Sequence, residues 1–284
     1  MSRPLLFLIL FIIGAIILYI IYKKNFKNLV FGVINLVTGG VKTGKSLLCS
    51  TASDKEFRKR HRSWWISTNI FRIKDLEEPL YYTNVYHTFG NGKKPHRLDK
   101  CIRIIELEHL LRKKRFNYGS VVYIQESSLM ADNMDYKNEK RNAQLSLFNK
   151  LFGHETRGGI LFYDTQCIED NHYSIKRVVS TYFFIQKSIN FWLFRVLYVR
   201  EMINTDLGNN NFESDVDNTM RKVIVFRWWY KHYDRYYFAY TTDNLTTDCK
   251  GLVPYDTEIV SFNPLYRKLT RKDYGYEKEN FKNC

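Results

Sequence analysis

No two cysteines of this chain form a C-x-x-C pair. The five (Cys49, Cys101, Cys167, Cys249 and Cys284) are scattered, which argues against a zinc ribbon, a dithiol redox motif or a disulfide scaffold and suits a reducing cytosol. Acidic residues are also scarce. With 29 of them against 44 lysines and arginines the formal charge is +15, which favours polyanionic partners, either nucleic acid or the anionic cytoplasmic face of a membrane. An N-K-x-D guanine signature is missing, and no charge interrupts residues 4 to 22. The length, 284 residues, suffices for one large or two small domains with hydrophobic cores.

The uncharged stretch is PLLFLILFIIGAIILYIIY, Pro4 to Tyr22. As a helix at about 1.5 Å per residue it spans roughly 28 Å, close to the hydrocarbon thickness of a bilayer. A cleaved signal peptide would have a shorter apolar region and a small-residue cleavage site, whereas this segment runs on through Tyr22. Lys23, Lys24 and Lys27 follow it and only Arg3 precedes it, so a single-pass anchor with the bulk of the chain in the cytoplasm is expected.

Soon after comes Gly39-Gly40-Val41-Lys42-Thr43-Gly44-Lys45-Ser46, which satisfies G-x-x-x-x-G-K-[ST] at every fixed position. Glycines let successive backbone N–H groups turn towards phosphate oxygens. Lys45 brings a positive charge to them, and the Ser46 hydroxyl suits Mg²⁺. An apolar, β-branched run (29–38) precedes the loop. A stretch of helical composition (46–60) opens at Ser46 and Leu47, so that its N-terminal end faces the phosphates. Residues 39 to 47 are therefore the expected nucleotide contacts, in an α/β fold with a mainly parallel central sheet.

Such a site needs an acid at the end of a neighbouring strand. The segment GSVVYIQESS (119–128) has a buried-strand run from Val121 to Ile124, but Gln125 stands where an aspartate is usual, leaving Glu126 as the carboxylate. Glu126 is the candidate general base and, with Ser46, a candidate metal-side residue. A third apolar strand, GGILFYDTQ (158–166), ends in Asp164, Thr165 and Gln166, with Gln166 the candidate γ-phosphate sensor. It follows a helical stretch (139–157) in which Leu145, Phe148 and Phe152 share a face, and Arg157 at its end is a candidate arginine finger for a neighbouring subunit.

Beyond residue 176 the chain turns to aromatic-rich extended runs at 181–189, 191–202, 222–233 and 235–242, expected as an antiparallel set joined by polar turns, with 206–218 as a long exposed loop. Arg195, Arg200, Arg227 and Lys231 among Trp228, Trp229 and Tyr230 form a candidate stacking surface for single-stranded DNA, although a sheet with one buried face gives the same alternation. The expected division is an anchor (1–28), a nucleotide-binding domain (29–187), a β-rich extension (188–250) and a charged tail (251–284).

Taken together, TGGVKTGKS, WWISTNIF (64–71, with Thr-Asn after a strand), VVYIQESS, FGHETRGGILFYDTQ and IEDNHYSIKR occur in an order that resembles the zonula occludens toxin-like ATPases, assembly proteins of filamentous phages. The resemblance covers roughly residues 29 to 187, and YKHYDRYYFAY (230–240) also looks like a segment of that group. It implies a P-loop ATPase at the host inner membrane that uses ATP and Mg²⁺ to drive virion extrusion, as an oligomer working with coat or other assembly proteins. Lys45 and Ser46 carry over as nucleotide ligands, Glu126 as the acidic residue and Gln166 as the sensor. Two features depart from the group: Gln125 replaces the usual aspartate, and the apolar segment precedes the ATPase domain rather than following it. A DNA-packaging or conjugative translocase and a nucleotide-binding scaffold with little turnover remain alternative readings.

Overall fold

The structure, a computed structural model, describes residues 4–5, 9, 11–17, 19–20, 29–85, 87–90, 96–105, 116–130, 139–167, 171, 173–206, 211–214, 220–232 and 260–261. One sheet runs through it in the order β10-β3-β2-β4-β5-β1-β6-β7-β8, with β9 paired to β7. The strands are β1 (Ile34–Gly39), β2 (Tyr81–Thr83), β3 (Ile102–Ile104), β4 (Val121–Ile124), β5 (Ile160–Asp164), β6 (Thr181–Asn190), β7 (Phe194–Asp206), β8 (Asn211–Ser214), β9 (Arg221–Phe226) and β10 (Val260–Ser261). From β3 across to β6 every pairing is parallel. β7, β8, β9 and β10 add on antiparallel.

Parallel strands need crossover helices, and helices on both faces leave the strands buried on both sides. Helix α1 (Lys45–Asn69) covers one face, and α3 (Glu139–Glu155) with α4 (Tyr173–Val178) covers the other, while α2 (Ser127–Met130) is a single turn after β4. The alternation within the strands sorts the core accordingly. Val37, Tyr123 and Phe162 pack with Leu47, Leu48 and Phe57 of α1. Leu36, Ile124 and Leu161 pack with Leu145, Phe148 and Phe152 of α3, as the shared face of that helix leads one to expect. Leu47, Leu48 and Phe57 are fully buried, each a contribution of about 1.5–3 kcal/mol.

Three expectations are revised. The segment 64–71 holds no strand: α1 continues to Asn69, nine residues past the expected helix end, and the Thr68 hydroxyl donates to the Trp64 carbonyl one turn back. The Trp64 indole N–H is engaged by the Leu76 carbonyl at 3.0 Å, which docks the loop after α1 against its last turns. The expected loop 206–218 contains β8. The turn between β6 and β7 is apolar rather than polar, with Phe191, Trp192 and Leu193 exposed. Residues 235–242 and the tail, apart from β10, lie outside the described residues.

Within the segment Pro4 to Tyr22 the described residues are helical, and Leu5, Phe11, Ile12, Ile16 and Ile20 are exposed. Among the described residues no helix is long and apolar enough to cross a membrane. The remainder of that segment and Lys23 to Asn28 lie outside them.

β7 carries the antiparallel strands back over the phosphate-loop side of the sheet. Leu197, Val199, Val223 and Val225 join the same core as α1. On that face Asp54 of α1 is wholly buried and bonded to Arg58, while His232 beyond β9 approaches its Oδ2 at 3.1 Å. Burial alone would raise Asp54; the His232 hydrogen bond and the charges of Arg58 and His87 hold its carboxyl below the ordinary range.

Candidate functional site

The loop between β1 and α1 leaves the centre of the sheet. Two of its glycines have backbones that side chains disfavour: Gly39 has φ +149° and Gly44 φ +100°. A Cβ on Gly39 would stand 2.7 Å from the Ile185 carbonyl oxygen, and one on Gly44 2.9 Å from Leu197 Cδ2. Both glycines are thus required by β6 and β7 as well as by the turn. Lys45 is buried, and its ammonium donates to the carbonyls of Gly39 at 2.9 Å and Gly40 at 3.2 Å. The loop closes around its own lysine.

No side chain of α1's own first turn competes with an anion. Its N-cap is Gly44, no side chain caps it, and its first turn contains no acid. The first intrahelical bond of the turn runs from Leu48 N–H to Gly44 O, at 3.0 Å. Free N–H groups, the positive end of a 25-residue helix and the lysine converge on one point, the arrangement that favours phosphate. Val41 and Lys42 are exposed at the loop tip, and Thr43 turns inward to bond the Gly40 carbonyl.

Opposite lie the ends of β4 and β5. In their register Ile124 faces Tyr163, so Gln125 stands level with Asp164, one strand further from β1. Both continue the alternation that turns Tyr123 and Phe162 towards α1. Asp164 is fully buried, accepting from the Glu126 backbone N–H at 2.7 Å and the Tyr123 hydroxyl at 2.8 Å. The Ser46 side chain stands close by. Burial raises the pKa of Asp164, opposed by those hydrogen bonds and by the charge of Lys45. The adjacent strand therefore ends in a buried aspartate level with Gln125 and nearer the phosphate loop. Neighbouring strands being about 4.8 Å apart, the displacement is a single strand spacing.

Gln125 is buried, and its Oε1 has no hydrogen-bond partner. Its backbone N–H and C=O are both bonded by Asn84, at 2.8 and 2.9 Å, which fixes the end of β4. Glu126 has a left-handed backbone, φ +48°, that turns it out of the strand. Its pKa is raised by burial and by the nearby Asp164 charge, with Lys45 and a hydrogen bond from Gln166 pulling the other way. Lys45, Ser46, Glu126 and Gln166 are thus brought together, with Gln166 beside Glu126 and exposed to solvent.

Arg157 is not part of this group. It precedes β5, at the opposite end of the sheet, where it is exposed and its guanidinium lies 4.3 Å from the Tyr118 ring centre. The residue that reasoning from sequence passed over is Asp164, although it stood in the text as the acid ending an apolar strand. The clue was the pairing of an absent aspartate after one buried run with a present one after the next.

Of the expected basic-aromatic surface of the C-terminal strands, the Tyr230 and Lys231 side chains lie outside the described residues, while Arg195 and Trp229 turn inward. Arg195 is buried, and its guanidinium donates to the Lys42 carbonyl and, at 3.1 Å, to the Ser188 hydroxyl. Trp229 packs against the core and His232, whereas Trp228 is half exposed and stacks on Phe226. Arg195 serves the phosphate loop as a strut.

No protein-family model matches the chain, and no curated protein does. Among solved structures, the N-terminal domain of zonular occludens toxin from Neisseria meningitidis is similar, with TM-score 0.39 and 16% identity over 72% of this chain and 100% of that one. The genome packaging NTPase from Sulfolobus turreted icosahedral virus 2 in complex with ATP-gammaS gives TM-score 0.31 and 10% identity over 68% and 98%. A KaiC-like protein from Pyrococcus horikoshii OT3 gives 0.36 and 13% over 69% and 89%. With every score below 0.5, the functional reading rests on this chain's own site: a phosphate loop on a mainly parallel α/β sheet.

Proposed function

We propose that the chain is a P-loop ATPase anchored by residues 4–22 in the cytoplasmic membrane of a bacterial host, with the nucleotide site in the cytoplasm, and that it drives assembly and extrusion of a filamentous-type phage virion. The observation that carries the ATPase reading is the convergence of Lys45, Ser46 and Asp164 at the uncapped start of α1. The residues fit Mg²⁺ and a triphosphate: a lysine held by carbonyls, a helix end without an acid, and a hydroxyl beside a buried carboxylate. Virion extrusion is supported by the order of motifs shared with the phage assembly ATPases together with the apolar segment.

In this reading the Lys45 ammonium exchanges the Gly39 and Gly40 carbonyls for phosphate oxygens. Ser46 and Asp164 would hold Mg²⁺, which would offset charge on the phosphates. Glu126 accepts the proton of the attacking water, and Gln166, beside it, orients that water. Because the β6–β7 hairpin braces the loop through Arg195, a change at the phosphates is transmitted to the antiparallel edge of the sheet, where an oligomer is expected to pass it on to coat or other assembly proteins.

The test is ATP turnover by the full-length protein in detergent, with and without DNA. Magnesium-dependent hydrolysis indifferent to naked DNA supports extrusion. Strong stimulation by DNA supports instead a membrane-tethered translocase, a reading that the charge of +15 also favours. Tight ATP binding without turnover supports a nucleotide-operated scaffold.

A further inference from the structure

The last turns of α1 form one wall of a cleft of about 1010 Å³ that the proposed ATPase chemistry does not use. Arg62, on that wall, is seventeen residues beyond Lys45, so roughly 25 Å of helix at 1.5 Å per residue separates the cleft from the phosphate loop. Arg58, Lys59 and Arg62 line it from α1, and Arg97 and Lys100 from the segment leading into β3. Trp64 and Trp65 stand beside them, Trp65 half exposed.

Among the described lining residues the one acid is Glu78, and it is occupied. His61 Nε2 lies 3.0 Å from its Oε1, and the Cys101 thiol donates to the same oxygen at 3.4 Å. Lys59, Arg62, Arg97 and Lys100 are solvent-exposed, so an anion reaches their charges without burying them. Arg58 is different: bonded to Asp54 and to the Phe89 carbonyl, it is a fixed part of the wall.

Five cations, of which Arg58 is paired with Asp54 and Lys59 lies 3.9 Å from Glu56, and two indoles around one hydrogen-bonded carboxylate match a ligand with repeated negative charge and flat, stackable rings. We propose that this cleft binds single-stranded nucleic acid, with phosphates along Arg62, Arg97 and Lys100 and a base on Trp65. A duplex offers phosphates but keeps its base faces stacked away from an indole, and a lipid surface offers no ring to stack. The site is independent of the ATPase reading, since it lies at the far end of α1 and needs no nucleotide.

The experiment measures fluorescence anisotropy of labelled dT20 with the full-length protein in detergent, and repeats it with U20, a duplex, and vesicles of phosphatidylcholine containing phosphatidylserine as competitors. Binding is expected to weaken with salt, with a log–log slope of roughly −2 for three neutralised phosphates. Trp65→Ala is expected to weaken it at least about fivefold through lost stacking. Arg62→Ala combined with Arg97→Ala should weaken it further and flatten the salt slope. Trp192→Ala, at the β6–β7 turn, should leave it unchanged, and ATP binding should be retained in every variant, which reports the fold and keeps failure here distinct from failure of the ATPase reading. The dT20 and U20 arms identify which strand is preferred. Undiminished binding in Trp65→Ala, stronger binding of duplex, displacement by vesicles alone, or no binding of either single strand overturns the proposal.

Discussion

Asp164 Oδ1 accepts a 2.7 Å hydrogen bond from the backbone N–H of Glu126. The bond joins the ends of β5 and β4 and holds a buried carboxylate beside Ser46 in a chain whose usual aspartate position is taken by Gln125. Asp164→Asn keeps the shape but removes the charge, so ATP turnover is expected to fall by at least about 100-fold, measured by phosphate release at saturating Mg²⁺. Gln125→Ala should cost much less.

Glu126 lies close enough to be bonded by Gln166, and it is the carboxylate placed to take a proton. Glu126→Gln is expected to lower turnover by roughly 10²–10⁴ while sparing nucleotide affinity. In the unsubstituted enzyme the base must be ionised, so the rate rises with pH. Because burial and Asp164 raise the pKa of Glu126, the acid limb of the profile should have its midpoint above 4.5, the ordinary value for a glutamate. A midpoint at or below that value would remove Glu126 from the role.

The centre of the parallel sheet was legible because its strands are short apolar runs ended by polar residues: Val121 to Ile124 and the run into Asp164 coincide with β4 and β5. The three-residue strands β2 and β3 are too short to show as runs, and β6, expected in the antiparallel set, pairs parallel with β1 on its other edge. Other features depend on contacts distant in sequence. The length of α1 was hidden because Trp64 and Trp65 look like strand residues and their helical state is fixed by tertiary contacts such as Trp64 to Leu76. The role of Asp164 depends on which strands are neighbours, and the order β4-β5-β1 is a property of the folded sheet. Arg195 read as a surface charge because nothing local shows that β7 returns over the phosphate loop.

That return predicts a role for Arg195 in nucleotide binding. Arg195→Ala removes a charged donor from the Lys42 carbonyl, and ATP affinity is expected to fall on the order of tenfold. Arg195→Lys should recover part of the loss. Calorimetric titration checks the affinity, and an unchanged value in a folded Arg195→Ala protein would show that the strut is idle.

His87 is fully buried between Tyr81 and Phe89, facing Asp54, His232 and Arg58, and burial pushes its pKa down to about 3, the nearby Asp54 opposing. The unfolded chain takes up a proton near the ordinary value of 6.5, so between 6.5 and about 3 the unfolded state holds more protons. Stability is therefore full above pH 6.5 and falls as the pH drops through that window, by up to about 1.4 kcal/mol per pH unit from this residue. His87→Phe should flatten that part of the denaturation curve against pH. A slope identical to that of the unsubstituted protein would contradict the assignment.

Asp164 as the metal-side carboxylate of a phosphate-loop site can be read from ATP affinity with Mg²⁺ and with EDTA in three proteins: unsubstituted, Asp164→Asn and Gln125→Ala. Mg²⁺ is predicted to strengthen binding in the unsubstituted protein and in Gln125→Ala, and to lose that effect in Asp164→Asn. Mg²⁺ dependence that survives in Asp164→Asn and disappears in Gln125→Ala would contradict the account.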